Sequence, residues 1–137
     1  MRMKIDGRCH CGAISYEAEI NPDSVIICHC TDCQTFSNAP YRVAVRVRRE
    51  LFKLRGEPKR YAKRGDSGQE AFQNFCGVCG VTIFTCKEEG PAVSLKIGSV
   101  RQRAELPPKR QGYCRSAVPW AFDLSGVERL PDPERSL

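Results

Sequence analysis

Alternation of apolar and polar residues is the dominant pattern along this chain. Over residues 14–20 an apolar side chain occupies every second position, and Asn21-Pro22-Asp23 then supplies a turn. Residues 42–47 and 93–97 alternate in the same way, and an apolar segment covers residues 81–86. A period of two is typical of half-buried strands, because successive side chains point to opposite faces of the sheet. The pattern therefore predicts a chain built mainly from strands.

Helical periodicity is almost absent. Helix is predicted only for a turn or two after Thr31 and around residues 68–71. Short strands punctuated by Gly and Pro, without strand–helix–strand alternation, are typical of an antiparallel all-β domain. We expect one such domain over residues 1–130 and, because LPDPERSL holds two prolines and little apolar content, a flexible tail over residues 131–137.

Length and charge narrow the class of protein. Apolar runs such as residues 25–28 fall far short of the roughly 20 residues that span a bilayer, and residues 1–6 lack the apolar core of a signal peptide. We therefore expect a cytoplasmic protein with no membrane partner. The formal charge of +6 falls to about +3 if seven thiolates bind two Zn²⁺ ions, a surplus that favours anionic small molecules or loose nucleic-acid contact.

The cysteines indicate metal binding. Nine are present, an odd number without a secretory signal, which disfavours a disulfide framework. Two cysteines one residue apart are poorly placed to bridge each other, because a disulfide holds its Cβ atoms about 4 Å apart with a dihedral near 90°. Seven of the nine stand in CxC or CxxC spacings: Cys9, Cys11, Cys28, Cys30, Cys33, Cys76 and Cys79.

Two cysteine pairs end in glycine and predict one closed site. They are Cys9-His10-Cys11-Gly12 and Cys76-Gly77-Val78-Cys79-Gly80. A chain that turns its amides toward a metal-bound sulfur needs a tight turn, and glycine reaches positive φ without a Cβ penalty. Each pair is therefore interpreted as half of a structural tetrathiolate zinc site, a type that contributes on the order of 10 kcal/mol to folding.

The stretch CHCTDCQ leaves Cys28, Cys30 and Cys33 as a trio. Three protein ligands and one exchangeable position are typical of catalytic zinc. Two alternatives remain open from sequence: Cys86 or Cys114 could supply a fourth ligand, or His29 could turn inward as one.

An open three-thiolate zinc has a definite chemistry. It is a soft site that prefers a thiol to water. A thiol bound to a metal ion loses its proton and can then react with an electrophile such as an aldehyde. The trio therefore predicts an enzyme that makes or breaks a carbon–sulfur bond and takes a small-molecule thiol as its partner.

These motifs, taken in order, resemble the glutathione-dependent formaldehyde-activating enzyme (GFA) family, whose domain is shared with centromere protein V. The resemblance covers about residues 5–130. The matching segments are Gly7-x-Cys9-x-Cys11-Gly12-x-Ile14-x-Tyr16, Cys28-His29-Cys30-x-x-Cys33-Gln34, Phe75-Cys76-x-x-Cys79-Gly80, Gly98 and Pro119-Trp120.

The resemblance implies a β-tent fold of antiparallel sheets with zinc knuckles and two zinc ions. The structural ion would map onto Cys9, Cys11, Cys76 and Cys79, and the catalytic ion onto Cys28, Cys30 and Cys33. The implied activity is that of a carbon–sulfur lyase, the reversible condensation of glutathione with formaldehyde to S-hydroxymethylglutathione. The alternative hypothesis is a noncatalytic zinc module that binds a protein or nucleic-acid partner.

The chain departs from the family pattern at two places. Asn38 stands where members usually carry Gly, and since Asn tolerates the left-handed conformation the turn is expected to survive. Gln111-Gly112-Tyr113 stands where members often carry a His-Ile pair before an aromatic residue.

Other residues have a functional and a structural interpretation. Arg42 and the other basic residues of the segments 42–55 and 59–64 could bind carboxylates or nucleic acid, but the alternation favours a solvated strand face. No aromatic residues interleave with them at base-stacking spacing, so a specific nucleic-acid reader is weakly supported. Small core side chains are predicted for Cys86 and Cys114, a core position for Trp120, and pocket walls or ordinary core for Phe36 and Tyr41. Gln34 is placed by position to reach the trio, and His29 to lie beside it.

Overall fold

The computed structural model describes residues 1–132, and the chain forms a mainly β fold of two sheets and one α-helix. The predicted fold class is thereby confirmed. Helix α1 is Thr31–Ser37, and short 3₁₀ segments occupy several of the connections. The strands are β1 Met3–Arg8, β2 Ser15–Ile20, β3 Val25–Cys28, β4 Arg42–Arg48, β5 Phe52–Arg55, β6 Lys59–Arg64, β7 Glu70–Phe75, β8 Thr82–Cys86, β9 Ala92–Lys96 and β10 Arg110–Gly112.

A three-stranded sheet in the order β1-β2-β5 lies against a seven-stranded sheet in the order β10-β3-β4-β9-β8-β7-β6. Within the described residues every strand pair is antiparallel except β10 with β3, which is parallel. The expectation of wholly antiparallel sheets is wrong at this edge. The chain returns to β3 only after residue 109, by a long connection that leaves the direction of β10 free.

The core lies between the two sheets. Phe84 of the large sheet packs edge-on against Phe52 of the small sheet, with ring centroids 5.1 Å apart, and Phe52 in turn contacts Tyr16. Burial follows the predicted alternation in β2, where Tyr16, Ala18 and Ile20 are buried while Glu17 is exposed. The alternation that predicted the strands is therefore the division between core and surface.

Some local predictions are confirmed and others are wrong. Helix α1 follows Thr31 as predicted, and Asn38 ends it in the left-handed conformation with φ 51°. The helix predicted at residues 68–71 is wrong: Gly68 has φ 84° and lies in the turn that leads into β7. The amide of Gly65 donates to the Gln69 carbonyl across this turn, which joins two strands.

Core positions are predicted for two residues of the segment 113–122, and the structure places both at the surface. Trp120 is 62% exposed, so the core position predicted for it is wrong, and Cys114 is exposed where a buried thiol is predicted. Residues 113–122 run through two short 3₁₀ segments rather than strands. Of the flexible tail predicted for residues 131–137, residues 133–137 lie outside the described residues. No helix within residues 1–132 has the length and apolar character to cross a membrane.

Candidate metal centres

The four-cysteine site joins two turns that are distant in sequence. Cys9 and Cys11 follow β1, while Cys76 and Cys79 lie between β7 and β8, and the four sulfurs lie within 4.8 Å of one another. The Cys11 sulfur is 3.7 Å from both the Cys9 and the Cys76 sulfur. Zn–S bonds of about 2.3 Å in a tetrahedron place sulfurs about 3.8 Å apart, so the donor set fits a tetrahedral zinc ion.

Both turns carry the features of zinc knuckles. The amide of Ile14 donates to the Cys9 sulfur at 3.3 Å, and the amide of Val78 donates to the Cys76 sulfur at 3.4 Å. Gly12 and Gly80 adopt φ of 84° and 80°, as the sequence predicts. These amides stabilise negative charge on sulfur, and hydrogen bonds from the backbone of Cys11 and Val81 lower the pKa of Cys79 to about 6. Thiolate is the form that binds a metal ion.

The three-cysteine site lies where β3 passes into α1. Cys28, Cys30 and Cys33 bring three sulfurs within 4.8 Å of one another. Cys30 is the N-cap of α1, and its sulfur accepts the amide of Cys33 at 3.3 Å. Burial raises the pKa of the Cys28 thiol to about 12, helped by the neighbouring Cys33 and Cys30 sulfurs. A metal ion that binds here must displace that proton, so its affinity falls with falling pH.

No fourth His, Cys, Asp or Glu donor joins the trio within the described residues. Cys86 and Cys114 are absent from both clusters, and the Asn74 amide donates to the Cys86 sulfur. His29 is also outside the set of candidate ligands. The structure therefore favours the division into four and three over the alternatives that the sequence leaves open.

His29 is buried beside the trio and held by the C-terminal part of the chain. Its Nε2 is 2.7 Å from Gln111 Oε1, and its amide donates to the Gly112 carbonyl. Tyr41 and Phe122 pack against its ring, with centroids 5.3 Å away in both cases. Its Nδ1 is buried without a partner among the described residues. Gln111, which departs from the family pattern, thus serves to orient His29.

Gln34 contacts the surroundings of the trio rather than the metal position. Its side-chain amide donates to the carbonyls of His29 and Ser116, at 2.7 and 2.9 Å. It therefore ties α1 to the segment after β10. Phe36 and Tyr41 are half-buried beside the site: Phe36 contacts Arg42 and Tyr61, and Tyr41 contacts His29.

Two basic residues lie near the trio, Arg42, which the sequence predicts on a solvated face, and Lys96, for which it predicts no role. Arg42 is only 8% exposed, so the solvated face predicted for it is wrong, and it donates twice to the Gln73 Oε1 atom. The sequence patterns indicate no functional role for Lys96. Burial lowers the pKa of Lys96 to about 8, and the charge of Arg42 adds to this effect. Each alternates with apolar residues on the outer face of its strand, and the pairing of β3, β4 and β9 places both near Cys28.

The larger cavities lie away from both cysteine clusters or touch only their margins. One of about 710 Å³ opens on the small sheet, between Lys4, Glu17 and Arg101, and contains no cysteine. A second of about 550 Å³ is lined by Cys9, His10 and Arg55 beside the four-cysteine cluster, and a smaller one of about 400 Å³ by Gln34, Asn38 and Trp120. None of these three cavities brings together a further set of metal-binding side chains within the described residues.

Fold and site together define a class: a mainly β protein with two cysteine clusters suited to zinc, one closed and one open. Comparison with protein families agrees. The model of the glutathione-dependent formaldehyde-activating enzyme family matches residues 4–116, and the chain belongs to this family.

A solved structure shares the fold. The crystal structure of a Rhodobacter sphaeroides protein aligns with a TM-score of 0.60 and 20% sequence identity, covering 77% of this chain and 98% of that one. At this identity the likeness shows the fold alone. A search of curated proteins finds no match.

Proposed function

We propose that this protein is a zinc-dependent carbon–sulfur lyase that condenses a small thiol with formaldehyde or a related aldehyde, with glutathione the first thiol to test. The observation that carries the proposal is the trio, Cys28, Cys30 and Cys33, gathered without a fourth protein donor within the described residues. Membership of a family described as glutathione-dependent and formaldehyde-activating supports the choice of substrates.

The two clusters have different proposed roles. Cys9, Cys11, Cys76 and Cys79 would hold a structural zinc ion, because four sulfurs complete its coordination. Cys28, Cys30 and Cys33 would hold a catalytic one. A metal ion held there would leave a fourth position open to a substrate thiol and would favour the thiolate form of that thiol.

The chain's own residues organise the site for this chemistry. The amide of Cys33 stabilises negative charge on the Cys30 sulfur, and α1 fixes the spacing of these two cysteines. Gln111 fixes the ring of His29 through Nε2. The other ring nitrogen, Nδ1, is buried without a partner among the described residues. The packing of Tyr41 and Phe122 on His29 limits the access of water on that side.

The test replaces a single sulfur. Cys30→Ser should abolish the acceleration of S-hydroxymethylglutathione formation, measured by exchange NMR with glutathione and formaldehyde, and should lower zinc content from two equivalents to about one. Cys114→Ser is the matched control, because Cys114 is an exposed cysteine outside both clusters. Retained activity in a folded Cys30→Ser variant would contradict the proposal. A wild-type protein with full zinc content and no turnover of any thiol would favour the noncatalytic zinc module.

A further inference from the structure

Two cationic side chains share one face of the large sheet with the trio. Cys28 lies directly opposite Arg42 in the pairing of β3 with β4, and Ala44 lies opposite Lys96 in the pairing of β4 with β9. Arg42 and Ala44 are two residues apart on one strand, so their side chains point the same way. Cys28, Arg42 and Lys96 therefore project from the same face.

Helix α1 covers part of this face. The ring of Phe36 lies 5.4 Å from the Arg42 guanidinium carbon and also contacts Tyr61 of β6. Asp32 of the same helix forms an ion pair with Lys63 of β6. Arg42 is therefore enclosed between helix and sheet, whereas Cys28 and Lys96 beside it are only half-buried.

Arg42 and Lys96 lack acidic partners among the described residues. No ion pair within residues 1–132 includes Arg42 or Lys96. Arg42 donates to the neutral Gln73 side chain, which also accepts the Thr85 hydroxyl, and its Nε is buried without a partner. Lys96 Nζ donates to the Ser94 hydroxyl at 3.0 Å and so uses one of its three N–H groups.

Charge balance at the site leaves room for one more anion. Three thiolates around Zn²⁺ carry a formal charge of −1, whereas Arg42 and protonated Lys96 together carry +2. Enclosed charges are costly unless they are paired or well hydrogen-bonded. The surplus, the buried Arg42 Nε and the spare Lys96 N–H groups all favour an anionic ligand beside the open metal position.

We propose that Lys96 and Arg42 form a subsite for a carboxylate of the thiol substrate, so that the enzyme selects thiols that carry a carboxylate over neutral thiols. This inference rests on the proposed function and names the chemical group by which its substrate is recognised. The carboxylate accepts from Lys96 Nζ, and Arg42 supplies a second positive charge on the same face. Arg42 keeps its other nitrogens on Gln73, and that contact fixes the guanidinium in place.

The test compares two thiols of nearly equal length, 3-mercaptopropionate and 2-mercaptoethanol, of which only the first carries a carboxylate. Their affinities are measured on the Co²⁺-substituted protein, where absorption from thiolate to cobalt reports thiol coordination directly and without turnover. Wild-type protein should bind 3-mercaptopropionate about tenfold more tightly than 2-mercaptoethanol, because a hydrogen bond to a charged group is lost with the neutral thiol.

Lys96→Gln should remove this preference by weakening 3-mercaptopropionate alone, while Lys96→Arg should keep most of it. Lys53→Gln is the matched control, because Lys53 is an exposed lysine on the small sheet. Arg42→Gln supplies a second variant, and circular dichroism establishes that each variant is folded.

The outcomes separate the two proposals. If both thiols bind wild-type protein equally well, the open position takes thiols as proposed but the carboxylate subsite is wrong. If the preference persists unchanged in Lys96→Gln and Arg42→Gln, the subsite lies elsewhere and the assignment is overturned. If neither thiol alters the cobalt spectrum, the open position does not accept thiols, and both the proposed function and the subsite fail.

Discussion

Gly80 closes one of the two metal-binding turns in a conformation that only glycine adopts freely. Its φ is 80°, and nothing lies within 4 Å of the position that a Cβ would occupy. Gly80→Ala should therefore lower the free energy of unfolding by roughly 1 kcal/mol through backbone strain alone. Gly98→Ala, where a Cβ also meets nothing and φ lies outside the left-handed range, should be neutral or slightly stabilising. Equal effects of the two substitutions in urea unfolding would contradict this account.

Tyr16 predicts how stability depends on alkaline pH. Its phenol is buried and shares a 2.8 Å hydrogen bond with the Ser99 hydroxyl, and burial raises its pKa from 10.0 to about 12. The native state thus holds the phenolic proton more tightly than the unfolded chain. This contribution to stability is complete below about pH 10 and is lost as the pH rises through 12.

Tyr16→Phe isolates this effect. At pH 8 the variant should be less stable than wild type by about 1 kcal/mol, because a hydrogen bond is lost. Between pH 9 and pH 11 the difference in unfolding free energy between the two proteins should narrow by about 1 kcal/mol, because only the wild type has an ionisable phenol at position 16. Tyr61→Phe, at an exposed tyrosine, is the control. A gap for Tyr16→Phe that stays constant with pH in urea unfolding would show that the phenol does not titrate as described.

Single residues show where sequence patterns lose information. Alternation places the Arg42 side chain on the face of β4 that points away from the core-facing valines. A charged residue on that face is expected to meet solvent. It does not, because Phe36 of α1 packs over the guanidinium and the Gln73 side chain accepts from both of its terminal nitrogens. Trp120 shows the reverse, because an aromatic residue after proline is typical of a core position and yet lies exposed. Both errors concern segments outside the two sheets, α1 and residues 113–122, whose positions a period of two does not reveal.

At the scale of elements, α1 depends on its left-handed end. Asn38 follows the last helical residue with φ 51° and ψ 38°. Asn38→Ala should destabilise the protein by about 1 kcal/mol, while Asn38→Gly should be neutral or stabilising, because glycine carries no Cβ penalty at this position. Urea unfolding of the three proteins tests the order, and Ala equal to Gly would contradict it.

The positions of the strands in the sequence were more predictable than the way in which the strands pair. Alternation located β2, β4 and β9, and the turn at Asn21 is closed by its side chain accepting from Asp23. Pairing is set by tertiary contacts, so the parallel pairing of β10 with β3 left no local signal. The segment at residues 68–71 has too few apolar residues to distinguish a helical turn from a hairpin, and the positive φ of Gly68 decides for the hairpin.

The local groups of cysteines are the part of the site that spacing alone could give. CxC and CxxC place sulfurs on one side of a tight turn whatever the fold, but only the fold brings the pair at residues 9 and 11 to the pair at residues 76 and 79 and leaves Cys86 and Cys114 outside both clusters. The environment of the trio could not be predicted. His29, Arg42 and Lys96 come together from β4, β9 and the segment before α1, and only the register of the sheet places them near Cys28.

The whole molecule should lose its two proposed zinc ions unequally. The four-cysteine site has two buried cysteines, Cys9 and Cys76, beside the exposed Cys11 and the half-buried Cys79, and it joins the two sheets. The trio has three partly exposed cysteines from one short segment and offers one ligand fewer. A chelator at neutral pH should remove one equivalent while circular dichroism is unchanged, and the second only as the protein unfolds. A colorimetric zinc indicator with parallel circular dichroism follows both events. Simultaneous release of the two ions would contradict the assignment of one open and one closed site.

The sulfur contact between Cys11 and Cys76 spans 65 positions of the chain. A ribosome adds about 5 to 20 residues each second, so the first pair of this cluster waits several seconds before its partners exist. The trio spans only residues 28–33 and is complete long before. In the growing chain the proposed open site would therefore have all its cysteines first, while Cys9 and Cys11 would have to remain reduced until Cys76 and Cys79 are made.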